Sequence, residues 1–314
     1  MIPLAEIHRA REVLEGVAVR TPLVRLDADT DAEIWLKLEL LQPVRSFKIR
    51  GAGSAVLQAS DEELAGGVLT ASAGNMAQGL AYAARLRGVP ATIVVPEHAP
   101  QTKIDAIERY DGRVIKVSYD EWWHTLMRGE YPGVDGLFVH PVADDRVMAG
   151  NGTIGLELLE QLDGFDAVVV PYGGGGLVTG IASAVKAERP EVRFYAAEPE
   201  TAAPVTATFA AGGVPTPVQY VPSFVDGSGS RELIPKVWAH ASELLDGACA
   251  LPLADVADAV RLLAERTRVI AEGAGALAVA AALKHDVGQR VVCVVSGGNV
   301  DTAVLVRILA GELP

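Results

Sequence analysis

"DAVVVPYGGGGLVTG", residues 166–180, decides the fold. The apolar run Ala167 to Val170 carries no polar alternation, gives way to four consecutive glycines, and is followed from Leu177 by helical spacing that continues to Glu188. A strand apolar on both faces belongs in a parallel sheet covered on both sides by helices. Ligands of such sheets bind in the loops beyond the carboxyl ends of the strands. Gly173 to Gly176 lie in such a loop. Without Cβ atoms their amides can converge on one point, and a helix start adds its dipole, which together make a phosphate cradle. A plain flexible turn is the alternative. The stretch is neither a Walker A motif nor a G-x-G-x-x-G fingerprint.

The same strand-then-helix rhythm runs outward in both directions. Runs rich in β-branched residues occur at 33–40, 67–72, 91–96, 112–118, 137–141, 166–172, 192–198 and 290–298. Between them 76–88, 153–162 and 177–188 carry helical spacing, and residues 1–16 read as an amphipathic helix. Residues 202–250 are looser and read as a surface excursion. The whole predicts an α/β protein with parallel sheets.

Composition narrows the function classes. The 314 residues are 50% hydrophobic and 21% charged, as in a soluble globular protein. A net charge of −13 argues against nucleic-acid and anionic-membrane partners. Cys249 and Cys293 stand far apart, which fits a reducing cytoplasm and argues against a disulfide scaffold or zinc site. No apolar run is long enough to span a bilayer. The six histidines form no ligand-spaced cluster and are assigned packing or surface roles, as are Trp122 and Trp123; Asp61 to Glu63 read as a solvated helix start.

Three further loops carry chemistry. In VRSFKIRGAG (44–53), Lys48 stands beside Phe47 at a helix start; it either snorkels to water or is desolvated and becomes a usable nucleophile and base. In TASAGNMAQGLA (70–81), Ser72, Asn75 and the amides from Gly74 to Ala77 suit a carboxylate or phenolic oxygen, or else simply cap a helix. In VVCVVSGGNVD (291–301), Ser296 ends a strand where its hydroxyl can meet a ligand heteroatom or cap the helix starting at 299–301. Phosphate anchor, amine, carboxylate seat and strand-end hydroxyl match the needs of pyridoxal phosphate.

In order along the chain, SFKIRGA (46–52), SAGNMAQG (72–79), GGGGL (173–177), EGAGA (272–276) and SGGN (296–299) resemble the fold type II pyridoxal-phosphate enzymes, specifically the threonine/serine dehydratase and serine racemase group. The resemblance implies two parallel-sheet α/β domains with pyridoxal 5′-phosphate in the cleft between them. Residues 1–65 plus 143–314 would form the large domain and 66–142 the small one. Lys48 would bind the cofactor covalently and act as the catalytic base. Phe47 would pack beside the ring, Asn75 would contact its phenolic oxygen, Gly173, Gly174, Gly175, Gly176 and Leu177 would hold the phosphate, and Ser296 would meet the ring nitrogen. Ser72, Ala73, Gly74, Asn75 and Met76 would seat the substrate. The implied reaction is dehydration and deamination of a β-hydroxy amino acid, with L-threonine giving 2-oxobutanoate and L-serine giving pyruvate. A cytoplasmic homodimer is the expected state.

Several departures qualify the reading. The racemases carry a serine where this chain has Ala73, and an alanine cannot exchange a proton. Met76 replaces the family's usual histidine, which makes the pocket more apolar and admits other β-substituted amino acids (3-hydroxyaspartate, phenylserine or diamino acid types). Glu198 and Ala202 match a family cation site, but Pro204 replaces its carboxylate, so no metal is expected. The chain ends soon after SGGN, which predicts no isoleucine-responsive regulatory domain. Cysteine synthase, threonine synthase and tryptophan synthase β are the nearest alternatives, although the cysteine-synthase motifs are missing. GAGALA (273–278) follows a predicted helix, contrary to what a nicotinamide-binding fingerprint needs. A non-catalytic amino-acid-binding relative is the alternative from another class.

Overall fold

The computed structural model describes all residues, 1–314. Ten strands form two sheets. The six-stranded sheet joins β1 (Leu23–Arg25), β2 (Glu33–Leu38), β7 (Ala167–Pro171), β8 (Arg193–Pro199), β9 (Gly247–Leu251) and β10 (Arg290–Val295) in the spatial order β1-β2-β10-β7-β8-β9. All its pairings are parallel except that of β1 with β2. The four-stranded sheet is wholly parallel: β3 (Val68–Ala71), β4 (Ala91–Pro96), β5 (Arg113–Val117) and β6 (Leu137–Phe138) pair in the order β5-β4-β3-β6.

Twelve α-helices cover and connect the sheets. Those that place the site are α1 (Leu4–Val13), α2 (Lys48–Leu57), α3 (Asn75–Arg87), α4 (Gln101–Glu108), α5 (Tyr119–Arg128), α6 (Asp145–Gln161) and α7 (Gly176–Glu188). The rest are α8 (Pro204–Ala210), α9 (Pro235–Ala241), α10 (Leu253–Leu262), α11 (Gly273–Lys284) and α12 (Thr302–Leu309). Buried aliphatic residues fill the faces of both sheets. The apolar face of α2 (Ile49, Ala52, Val56) packs into one cluster with Val68, Ile93 and Leu80 of the four-stranded layer.

Several elements differ from the sequence reading. Residues 202–250 contain α8, α9 and β9, an edge strand of the large sheet, where an excursion was expected. β9 reads GACAL, short and built of small residues, so its periodicity is weak. The run 137–141 pairs only at Leu137 and Phe138, and the run 33–40 ends its strand at Leu38. Asp61 to Glu63 form turns rather than a helix, opened by reciprocal Ser60–Glu63 hydrogen bonds. α12 begins at Thr302, capped by Asp301, instead of at 299–301.

A buried charge network anchors the base of α2. Arg50, 2% exposed, donates to both carboxylate oxygens of Glu39 at 2.8 Å and to Glu157 at 2.7 and 3.0 Å. Lys37 pairs with the same Glu157 and donates to the carbonyl of Thr21 at 2.8 Å. Two cations and two carboxylates balance, which is the condition for burying charge. The network links β2, α2 and α6 and so fixes the helix that Lys48 opens.

Candidate active site

Phe47, Lys48, residues 72–76 and Ser296 converge where the carboxyl ends of both sheets face each other. Ser72 follows β3, His98 follows β4, Pro141 follows β6 and Ser296 follows β10, and all four line one cavity of about 410 Å³. Phe47, Lys48, Ala73, Gly74, Asn75 and Met76 complete the predicted lining. A larger cavity of about 630 Å³ lies beside α1 over Arg50 and contains none of the predicted site residues.

Lys48 is the first residue of α2. Its Nζ donates to the carbonyl of Pro141 at 2.8 Å and stands 5.1 Å from the centroid of the Phe47 ring. Burial brings its pKa down to about 8. The amine is therefore partly unprotonated near neutral pH, as a nucleophile and base requires. Gly79 lets α3 approach this point: a Cβ there would lie 3.1 Å from the Lys48 carbonyl. The Pro141 turn is itself held by His140, whose Nδ1 accepts from Val142 N at 3.2 Å and Ala143 N at 2.9 Å. Burial, then the cations Lys48 and Lys236, push His140 down to about 4, so it remains a neutral acceptor.

The loop 72–77 is left open by its own side chains. Ser72 Oγ accepts from Gly74 N at 3.3 Å, a local turn, and no side chain caps α3. The amides of Asn75, Met76 and Ala77 have no acceptor in the protein, which is what a carboxylate seat at a helix N-terminus needs. Met76, 2% exposed, gives this wall an apolar surface.

The glycine loop lies behind the Pro141–Val142 turn and does not line the cavity. Gly174 and Gly176 press on Val142, the neighbour of Pro141; Cβ atoms there would come within 2.7 Å of its side chain and 2.6 Å of its carbonyl. Gly173 abuts Gly227, which does line the cavity. Gly175, at φ +87°, turns the chain into α7 without a side-chain cap. From Gly173 through Leu177 to Val178, no amide N–H has an acceptor in the protein. Six donors at the start of an apolar helix, with no room for a Cβ at Gly174, Gly175 or Gly176, fit a phosphate group.

Asn75 is held by two partners that sequence reading did not single out. Its Nδ2 donates to Glu272 Oε1 at 2.7 Å, and its Oδ1 accepts from Asn299 Nδ2 at 2.7 Å. Glu272 lines the cavity, and burial, then Asp226, push its pKa up to about 7. Trp122, assigned to packing by the sequence, lines the cavity, whereas Trp123 is exposed. Lys103 and Asp226, which both line the cavity, pair at 2.5 Å.

Glu198 lies outside the cavity. Its carboxylate accepts from Val205 N at 3.0 Å and from Thr206 N and Oγ1 at 2.9 Å, so it caps α8, which Pro204 opens, and Ala202 is buried beside it. No group of three His, Cys, Asp or Glu side chains is placed to hold a metal ion.

The family described as pyridoxal-phosphate dependent enzyme matches residues 14–297. The chain belongs to this family. It is 40% identical over 316 residues to an L-threonine ammonia-lyase of Thermotoga maritima, covering 98% of this chain and 78% of that protein. It is 35% identical to a serine racemase of Oryza sativa subsp. indica, covering 96% of this chain and 93% of the other. Among solved structures, maize serine racemase superposes with a TM-score of 0.89 at 32% identity, over 98% of this chain and 96% of that one. The architecture is that of the fold type II enzymes, and the cofactor of the family is pyridoxal phosphate. No helix is long and apolar enough to cross a membrane.

Proposed function

We propose that the protein catalyses β-elimination of a β-hydroxy amino acid, with L-threonine and L-serine as reference substrates, to a 2-oxo acid and ammonia. Lys48 carries the reading: a lysine whose amine titrates near 8 sits in a cavity that also holds Ser296 and an uncapped helix start. Similarity to proteins named L-threonine ammonia-lyase supports it.

Phe47, Lys48, Asn75, Ser296 and the Gly173–Leu177 amides would hold pyridoxal phosphate. When bound, it supplies an electron sink for the substrate Cα. Lys48 then removes the Cα proton with an amine already shed of much of its hydration. The amides of Asn75 to Ala77, with Ser72, hold the substrate carboxylate. Ser296 would offer the ring nitrogen a hydroxyl rather than a charge, which would weaken the sink and favour prompt loss of the β-hydroxyl. Incubating the loaded protein with a panel of β-hydroxy amino acids and assaying 2-oxo acid tests the reaction; no 2-oxo acid from any member would contradict it. The apolar Met76 makes bulkier side chains part of that panel.

The relatives named serine racemase favour a second reading. Racemisation needs a proton donor on the face opposite Lys48, and Ala73 has none to give. Wild-type protein is expected to form 2-oxo acid from L-serine in large excess over D-serine, and Ala73→Ser to raise the D-serine share. Comparable D-serine formation by the wild type would reverse the assignment.

The units 1–65 plus 143–314 and 66–142 are proposed as the two domains that enclose the cofactor, and a cytoplasmic homodimer as the working state. Light scattering of the purified protein tests the dimer.

A further inference from the structure

Asn75 can present either its oxygen or its nitrogen to the cavity, and a chain of hydrogen bonds decides which. Asn299 Nδ2 donates to the carbonyl of Val44 at 2.9 Å and to Asn75 Oδ1 at 2.7 Å. A backbone carbonyl only accepts, so the nitrogen of Asn299 must face it. Asn75 must then turn its oxygen to Asn299 and its nitrogen the other way. That nitrogen gives one hydrogen to Glu272 Oε1 at 2.7 Å. Glu272 is fixed in turn, because its Oε2 accepts from the backbone N–H of Asn299 at 3.1 Å. The second hydrogen of Asn75 Nδ2 has no protein acceptor, and Asn75 lines the cavity.

We propose that Asn299 and Glu272 are positioning residues: the relay Val44 carbonyl–Asn299–Asn75–Glu272 locks the Asn75 amide so that one N–H is reserved for the cofactor's phenolic oxygen. The proposal rests on the assignment of pyridoxal phosphate to this cavity. A donor held in this way favours the ionised over the protonated phenolic oxygen, and its orientation is set before the cofactor arrives. Both groups facing the Glu272 carboxylate in the relay are donors, so they favour its ionised form. Burial and Asp226 oppose them, while Lys103 assists. The relay joins the segment before α2, the start of α3, the start of α11 and the loop after β10, and so ties both sheets to one amide.

Asn299→Asp tests the relay, because an aspartate oxygen cannot donate to Val44 and repels Asn75 Oδ1. Turning the Asn75 amide over relieves that repulsion and offers the cavity an oxygen, once Glu272 takes up a proton to meet it. Loading of Lys48 is measured by borohydride reduction and peptide mass, and the absorption spectrum of the loaded protein is followed across pH. Asn299→Asp is expected to label at Lys48 while its long-wavelength band, that of the ionised phenolic oxygen, gives way to a shorter-wavelength one. kcat should fall about tenfold or more, with a smaller change in KM. Glu272→Gln, which keeps one of the two acceptors, should move spectrum and kcat the same way by less. Loaded variants with wild-type spectra and pH profiles would overturn the relay and leave the proposed reaction standing. Wild-type protein that never labels at Lys48 would overturn both.

Discussion

Lys48 acquires its chemistry from three neighbours acting at different ranges. The Phe47 ring and the cavity walls strip its ammonium of water, the Pro141 carbonyl aims it, and His140 keeps that carbonyl in place. Short motifs made Lys48, the glycine tetrad, Asn75 and Ser296 candidates in the sequence, and the structure brings Lys48, Asn75 and Ser296 to one cavity. Glu272 and Asn299 lie within recognisable motifs, but no local window shows what they hold, since their partner Asn75 lies 197 and 224 residues away. His140 leaves no ligand-like spacing in the sequence, because it acts by holding a turn. At Gly176 the geometry gives a direct expectation. A Cβ there would stand 2.6 Å from the Val142 carbonyl, a backbone atom that cannot swing aside. Gly176→Ala should weaken cofactor binding about tenfold or more while the protein remains folded. Titration of the apoprotein with pyridoxal phosphate measures this, and unchanged affinity would remove the glycine loop from the site.

At the scale of elements, helix contacts depend on residues small enough to vanish. α6 crosses α7 at Gly180, where a Cβ would meet the Met148 carbonyl at 2.2 Å. The long apolar strands were readable as runs of valine and alanine, but β1, three residues long, and β9 carry too little pattern and take their structure from neighbours in the sheet. Glu198 shows another effect beyond local reading, because its carboxylate caps a helix that begins six residues later. Burial pushes its pKa up to about 7, against an ordinary value of 4.5. A carboxyl with a raised folded pKa contributes stability that is complete below pH 4.5 and is lost as pH climbs through 7. Glu272, also raised to about 7, adds to the same trend. Thermal unfolding of the apoprotein should therefore move to lower temperature between pH 4.5 and about 7, with a shallower decline in Glu198→Gln. An unchanged slope in the variant would show that Glu198 does not titrate in this range.

At the scale of the molecule, two sheets turn their carboxyl ends to one cleft, and an ion pair crosses its mouth. Lys103 belongs to α4 beside the four-stranded sheet, and Asp226 to the loop after α8, next to Gly227 and Glu272. Alternating strands and helices foretold parallel sheets, whereas the strand order that brings β10 between β2 and β7 depends on long-range pairing that no local window contains. The pair is partly exposed, so it contributes modestly and is screened by salt. Lys103→Met should raise KM about two- to fivefold with a smaller change in kcat. The wild-type KM should rise with ionic strength and that of the variant should not. Equal salt dependence in both would mean the pair does not help to close the cleft.

The central claim is that the amine of Lys48 receives the cofactor, and borohydride reduction of the purified, pyridoxal-phosphate-loaded protein followed by peptide mass analysis tests it most directly. The account predicts one phosphopyridoxyl group, on the peptide containing Lys48, and none in Lys48→Ala. A modified lysine elsewhere, or an unmodified Lys48 peptide from protein that retains activity, would contradict it.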